Sequence, residues 1–182
     1  ASLVGSEMCI RDRSGTNLKE LRIENIFKTS SQQFINEIND VDSYYQWIYK
    51  CAESKMIDNS LSNEMIYYTR ANVPSPIWDR DIVAHSKYRY DKTKRTHYFN
   101  STVALNHEEL VPIKSKVVRV KDYESSWEII ELGSNKIKMI NTLFMDPGGS
   151  IPNWLSNMTI SKGPLKTMVS LEKRLEKKNV GN

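Results

Sequence analysis

Three histidines, two cysteines and one acid–base triplet are the residues of this chain whose types could support catalysis or metal binding. His85, His97 and His107 lie on or beside strand-like stretches, and no carboxylate or cysteine stands from them at metal-ligand spacing. No metal site and no cofactor are therefore expected, and the histidines read as exposed side chains. Asp79, Arg80 and Asp81 resemble an acid–base cluster, but charged groups at the mouth of a strand more often form a hydrogen-bonded brace, and that is the reading adopted. Gly148-Gly149 lacks the flanking pattern of a phosphate loop and reads as turn chemistry. Cys9 and Cys51 bear no ligand or redox spacing to one another. No nucleophile elbow is present. The basic run Lys87, Arg89, Lys92, Lys94 and Arg95 reads as a solvated edge that discourages strand aggregation, with transient docking to an anionic membrane surface as the alternative.

At 182 residues the chain is long enough for one domain with a real core. No run of about 18 apolar residues could span a membrane as a helix. The net charge of +4 is spread along the chain, which gives no case for nucleic acid as a partner. A soluble monomer is expected, and the sequence leaves its compartment open, leaning to the cytoplasm.

The elements that would hold these residues follow from periodicity. Leu21, Ile23 and Phe27 alternate, with Asn25 interrupting, as in a strand with one wet face. Ser30 or Ser31 can cap a short helix through Phe34, Ile35 and Ile38, and Asp40 or Asp42 a second helix over residues 41–55, striped by Val41, Tyr44, Tyr45, Ile48 and Cys51. Strands are predicted near 55–57, from 64, over 82–91 and over 96–105. In the third of these His85, Lys87 and Arg89 want water, so Ile82, Ala84, Ser86, Tyr88 and Tyr90 should face inward. After a polar loop over 106–112, strands over 114–121, 126–132 and 136–145 complete a meander. At Asp146 the period changes. Pro147 and the two glycines turn the chain, and from Ile151 the apolar residues Trp154, Leu155, Met158, Leu165, Met168, Leu171 and Leu175 fall three or four apart, on one face of a long helix that should kink or break near Ser161 to Pro164. The economical architecture is α+β, an antiparallel sheet wrapped around one C-terminal helix.

Residues 1–13 show neither period and resemble translated sequencing-adaptor read-through. They are expected to be a non-native tail, leaving 14–182 as a single, N-terminally truncated domain.

Several pieces in order resemble the START lipid-transfer domains of the helix-grip group. They are the Tyr-x-x-Trp of Tyr44 to Trp47, the proline-rich turn ending in Asp79-Arg80-Asp81, the Val118-Arg119-Val120 strand followed by Trp127, and the stretch from Asp146 to Asn157. One departure is visible. Bacterial relatives usually read Pro-Trp-Pro before the charged triplet, where this chain has Pro76-Ile77-Trp78. The resemblance spans about Leu18 to Leu175 and implies a helix-grip fold, a curved antiparallel sheet gripping the C-terminal helix around an apolar cavity for a lipid or other hydrophobic molecule, without catalysis.

Given that cavity, strand parity selects its lining. Tyr67, Thr69, Ala84, Ser86, Tyr88, Met139, Asn141 and Leu143 should point toward Trp154, Leu155, Met158 and Met168. Sterol-carrying members place a buried arginine and an acid in the cavity. Counted from Arg80-Asp81, those places fall here on Ser86 and on or beside Tyr67, which argues against a sterol and leaves phospholipid, fatty acyl and isoprenoid ligands open. Two other classes remain: a helix-grip enzyme of the aromatase or cyclase kind, whose tyrosines and histidine are not expected to converge, and a protein-interaction domain with a filled core.

Overall fold

The computed structural model describes residues 7–12, 18–149, 151 and 162–180. Nine strands form one sheet among them: β1 (Glu7–Asp12), β2 (Lys19–Phe27), β3 (Cys51–Asp58), β4 (Glu64–Ala71), β5 (Asp79–Asp91), β6 (Thr96–Val103), β7 (Val117–Arg119), β8 (Asp122–Gly133) and β9 (Lys136–Asp146). The order is β1-β2-β9-β8-β6-β5-β4-β3, antiparallel throughout, with β7 added in parallel against the start of β5. The helices are α1 (Ser31–Asn39), the single turn α2 (His107–Leu110) and α3 (Gly163–Val180), with a 3-10 turn at Val41–Gln46.

The alternation read from the sequence sets the faces. Leu21, Ile23 and Phe27 of β2, Ile137 and Met139 of β9, and Ala84 of β5 are buried on the concave side. There they meet Phe34, Ile35 and Ile38 of α1 and Met168, Leu171 and Leu175 of α3 in one apolar cluster. The serine cap of α1 forms as expected, Ser30 Oγ accepting from Gln33 N at 3.2 Å. The two helices are tied by charge, since buried Glu37 of α1 pairs with Arg174 and Lys178 of α3, and Arg174 also reaches Asp40 at 3.1 Å. A carboxylate this deep needs such partners, because burying it unpaired would be far costlier than the pairing.

Three expectations are corrected. The second helix over 41–55 is only the 3-10 turn, after which Cys51 to Lys55 belong to β3. From Cys51↔Ala71 onward the backbone of β3 finds its partners on β4 instead of within a helix, and Tyr45 of the supposed stripe is left exposed. The stretch 114–121 is not a meander strand: only Val117–Arg119 pair, and they pair with β5. Tyr90, expected inward, is exposed at the end of its strand. Residues 7–12, set aside in the sequence reading, pair with β2 as an edge strand. Residues 152–161, which hold Trp154, Leu155 and Met158 and the N-terminal side of the expected helix break, lie outside the described residues.

The convex face is covered too. Tyr68, Val83 and Ala104 form a second small cluster with Ile57, Ile66 and Val111. The loop after β6 lies over it, held by Arg119, whose Nη1 donates to His107 O at 3.0 Å and whose Nη2 donates to Val111 O at 3.0 Å.

Candidate functional site

The charged triplet is a brace, each member facing a different element. Asp79 accepts from Arg70 Nη1 at 2.5 Å and from Val73 N at 3.0 Å. Asp81 is buried against Arg119, with Nε to Oδ1 at 2.7 Å and Nη2 to Oδ2 at 2.9 Å. Arg80, on the opposite face of the strand, donates from Nη1 to Trp78 O at 2.6 Å, from Nε to Pro147 O at 3.1 Å and from Nη2 to Gly148 O at 3.0 Å. The turn into the C-terminal segment is thus clamped to β5. Gly148 and Gly149 both take positive φ there, at 63° and 69°, a backbone state that a Cβ disfavours.

Between the concave face and α3 lies a cavity of about 280 Å³. Of the residues selected by parity, Tyr67, Thr69, Asn141, Leu143 and Met168 line it together. Ser86 and Tyr88 do not: they line a second cavity of about 420 Å³, between α1 and the turn before β4. Ala84 and Met139 are fully buried and line neither.

The cavity under α3 is mainly apolar, with neutral polar points and with Lys50 and Arg70 also among its lining residues. Tyr44, Trp47, Tyr123 and Trp127 supply aromatic walls. Burial pushes the phenols of Tyr44, Tyr67 and Tyr123 above their ordinary range, so all three stay protonated near neutrality. Asn141 spends its amide on Ser126 O at 3.0 Å and Ser125 Oγ at 3.4 Å, and burial raises the Cys51 thiol, leaving it a small apolar wall. Trp47 is different: its buried Nε1 has no partner among the described residues, leaving one N–H donor for an occupant. Arg70, at the rim, is already paired with Asp79 and Glu53.

Trp47, Tyr123 and Trp127 were missed as lining, though a signal existed for each. Trp47 follows Tyr44 by three residues, and Tyr123, Ser125, Trp127 and Ile129 alternate along β8 as an inward face does.

The histidines are not uniformly exposed. His85 is half-buried against Glu64, Nε2 to Oε2 at 2.6 Å. His97 is buried, with Nε2 at 3.0 Å from Glu131 Oε1 and Nδ1 at 2.9 Å from Tyr88 Oη. A tyrosine and a histidine therefore do converge, contrary to the sequence expectation, because β5 and β6 are adjacent and Tyr88 is opposite Phe99, with His97 two residues along β6 on the same face.

Comparison with known proteins matches this geometry to a family. The family model described as START domain matches residues 8–179. Phosphatidylcholine transfer protein of Mus musculus is 27% identical over 168 residues, 90% of this chain and 77% of that protein. An uncharacterised protein of Pseudomonas aeruginosa is 28% identical over 143 residues, 76% of this chain and 66% of that one. The STAR-related lipid transfer protein of Xanthomonas axonopodis superposes with a TM-score of 0.83 at 23% identity, covering 97% of this chain and 96% of that one. With a helix-grip sheet, the charged brace and a family match over nearly its whole length, this chain belongs to the START domain family.

Proposed function

We propose that this domain binds a lipid or another hydrophobic small molecule in the cavity between its concave sheet and α3, and does no chemistry on it. The observation that carries the reading is the cavity itself, an apolar, aromatic-walled space of about 280 Å³ whose interior tyrosines are neutral and where, among the described residues, buried Trp47 Nε1 has no hydrogen-bond partner. Such a lining suits an apolar body with a single polar group. It also tells against the filled-core interaction domain, which would have no space there. The mouse and Xanthomonas relatives are named as transfer proteins, and transfer is the finer form of the proposal: a single-domain, monomeric carrier that touches an anionic membrane transiently, with the basic β5–β6 hairpin as the contact. No described helix is long and apolar enough to cross a membrane.

Mass spectrometry of organic extracts of the purified protein tests the proposal directly. A stoichiometric hydrophobic molecule is expected, displaced by a fluorescent acyl lipid. Absence of both a co-purifying molecule and saturable acyl-lipid binding would overturn it.

A further inference from the structure

The interior of the grip is divided. Along the concave face of β5, Ile82 lines the cavity under α3, Ala84 is buried in solid packing, and Ser86 and Tyr88 line the second cavity. The same division crosses the neighbouring elements. Met65 lines the second cavity and Tyr67 the first, and on α1 Ile35 and Ile38 part in the same way. The second cavity has its own mouth, at the turn of Asn59 to Asn63, at the opposite end of β4 from Ala71 to Val73, which line the first.

Its polar groups are built rather than incidental. Ser86 is 2% exposed and its Oγ has no hydrogen-bond partner among the described residues. A buried hydroxyl left unpaired is destabilising, so a partner supplied by an occupant would stabilise it. Beside it the chain Ser31, Glu131, His97, Tyr88 is ordered by its own hydrogen bonds, with Ser31 Oγ donating to Glu131 Oε1 at 2.9 Å. Glu131 is ionised at neutral pH, its carboxyl held below the ordinary value chiefly by the hydrogen bond to His97. Its carboxylate therefore accepts from His97 Nε2, which leaves Nδ1 facing the Tyr88 hydroxyl at 2.9 Å. Beside that contact Tyr88 Oη keeps a lone pair that can accept, while Ser86 can donate. Phe99, Met65 and Ile35 supply an apolar wall. No Lys or Arg is among the described lining residues, whereas Glu64 is, so a carboxylate or phosphate would be unpaired there.

We propose that this cavity is a second, independent site for a small neutral molecule with an apolar body and one hydroxyl, a phenol or an alcohol, whose O–H donates to Tyr88 Oη. It differs from the site under α3 in mouth, polarity and ligand class, and it does not depend on what that site carries.

The probes are 2-naphthol and its methyl ether, 2-methoxynaphthalene, titrated into the full chain by fluorescence, with and without saturating palmitic acid. Saturable 2-naphthol binding is expected, weakened about five- to tenfold in the ether and in Tyr88→Phe, the scale of one hydrogen bond. The ether should bind the parent and Tyr88→Phe equally well, and palmitic acid should leave the 2-naphthol isotherm unchanged. A thermal melt of Tyr88→Phe near that of the parent separates lost contact from lost fold. Three results would each overturn the proposal: no saturable 2-naphthol binding, equal affinity for naphthol and ether in the parent, or one-for-one displacement by palmitic acid, which would make the two cavities a single site.

Discussion

Asp81 and Arg119 face one another as a buried two-pronged ion pair, with contacts of 2.7 and 2.9 Å and side chains 0% and 1% exposed. Two of the guanidinium's three remaining donors go to His107 O and Val111 O, so the pair also pins the loop that covers the convex face. Arg119→Met would strand a carboxylate in that site and should lower stability by about 3–5 kcal/mol in urea unfolding. Replacing both partners, Asp81→Leu with Arg119→Met, should recover part of the loss. An Arg119→Met loss under about 1 kcal/mol would show that water reaches Asp81.

The separation of Tyr67 and Thr69 from Ser86 makes the binding reading specific. Thr69→Trp fills the cavity under α3 and should reduce fluorescent acyl-lipid affinity at least about tenfold with the fold retained. Ser86→Trp fills the other cavity and should leave acyl-lipid binding intact. Equilibrium titration of both variants checks this, and acyl-lipid binding lost in Ser86→Trp but kept in Thr69→Trp would reverse the assignment of the two cavities.

Ala84 lines neither cavity and is fully buried. Ala84→Phe should therefore overpack, at about 1–3 kcal/mol, rather than act as a ligand block. Denaturant unfolding with m unchanged is the measurement. A variant as stable as the parent would point to space between the cavities.

Four glutamates are held below their ordinary value of 4.5, Glu131 first by His97, Glu24 first by Lys138, Glu53 first by Lys114 and Glu64 first by His85. The unfolded chain binds protons on them at higher pH than the folded one, so their stabilisation is complete above the ordinary value and is lost as pH falls through the folded ones. The melting temperature should decline below about pH 4.5. Glu131→Gln should melt below the parent at pH 7, with the gap closing in acid. A gap independent of pH would show that Glu131 acts through packing alone.

Residues 1–13 we propose to be dispensable. Those seen, 7–12, form an edge strand that is exposed except for partly buried Met8, so deletion removes edge pairing but almost no core. The melting temperature should stay within about 4 °C of the parent, the scale of 1 kcal/mol in a domain of this size. A larger fall in differential scanning calorimetry would assign β1 a share in the stability of the fold.

The sequence by itself determined the architecture wherever one face of an element was sealed. Alternation in Leu21, Ile23 and Phe27 and the three-and-four spacing of Met168, Leu171 and Leu175 were legible because burial of a face imposes the period of the element that carries it. The brace at Asp79 to Asp81 was legible as well, since charges at a strand mouth must find partners. The helical expectation for 41–55 failed because a stripe of Tyr44, Ile48 and Cys51 suits a helix locally, while pairing of Cys51 with Ala71 is a choice that only a distant strand can make. Parity likewise showed which way Tyr67 and Ser86 point, both inward, but not that a wall would form between them. Whether two inward residues share a space depends on how the volumes of Ala84, Met139 and their neighbours fill the interior, and that sum is taken in three dimensions over residues far apart in the chain. The burial of His97 has the same origin. Its partners Tyr88 and Glu131 come from the strands on either side of β6, and only the order of strands in the sheet brings them to one imidazole.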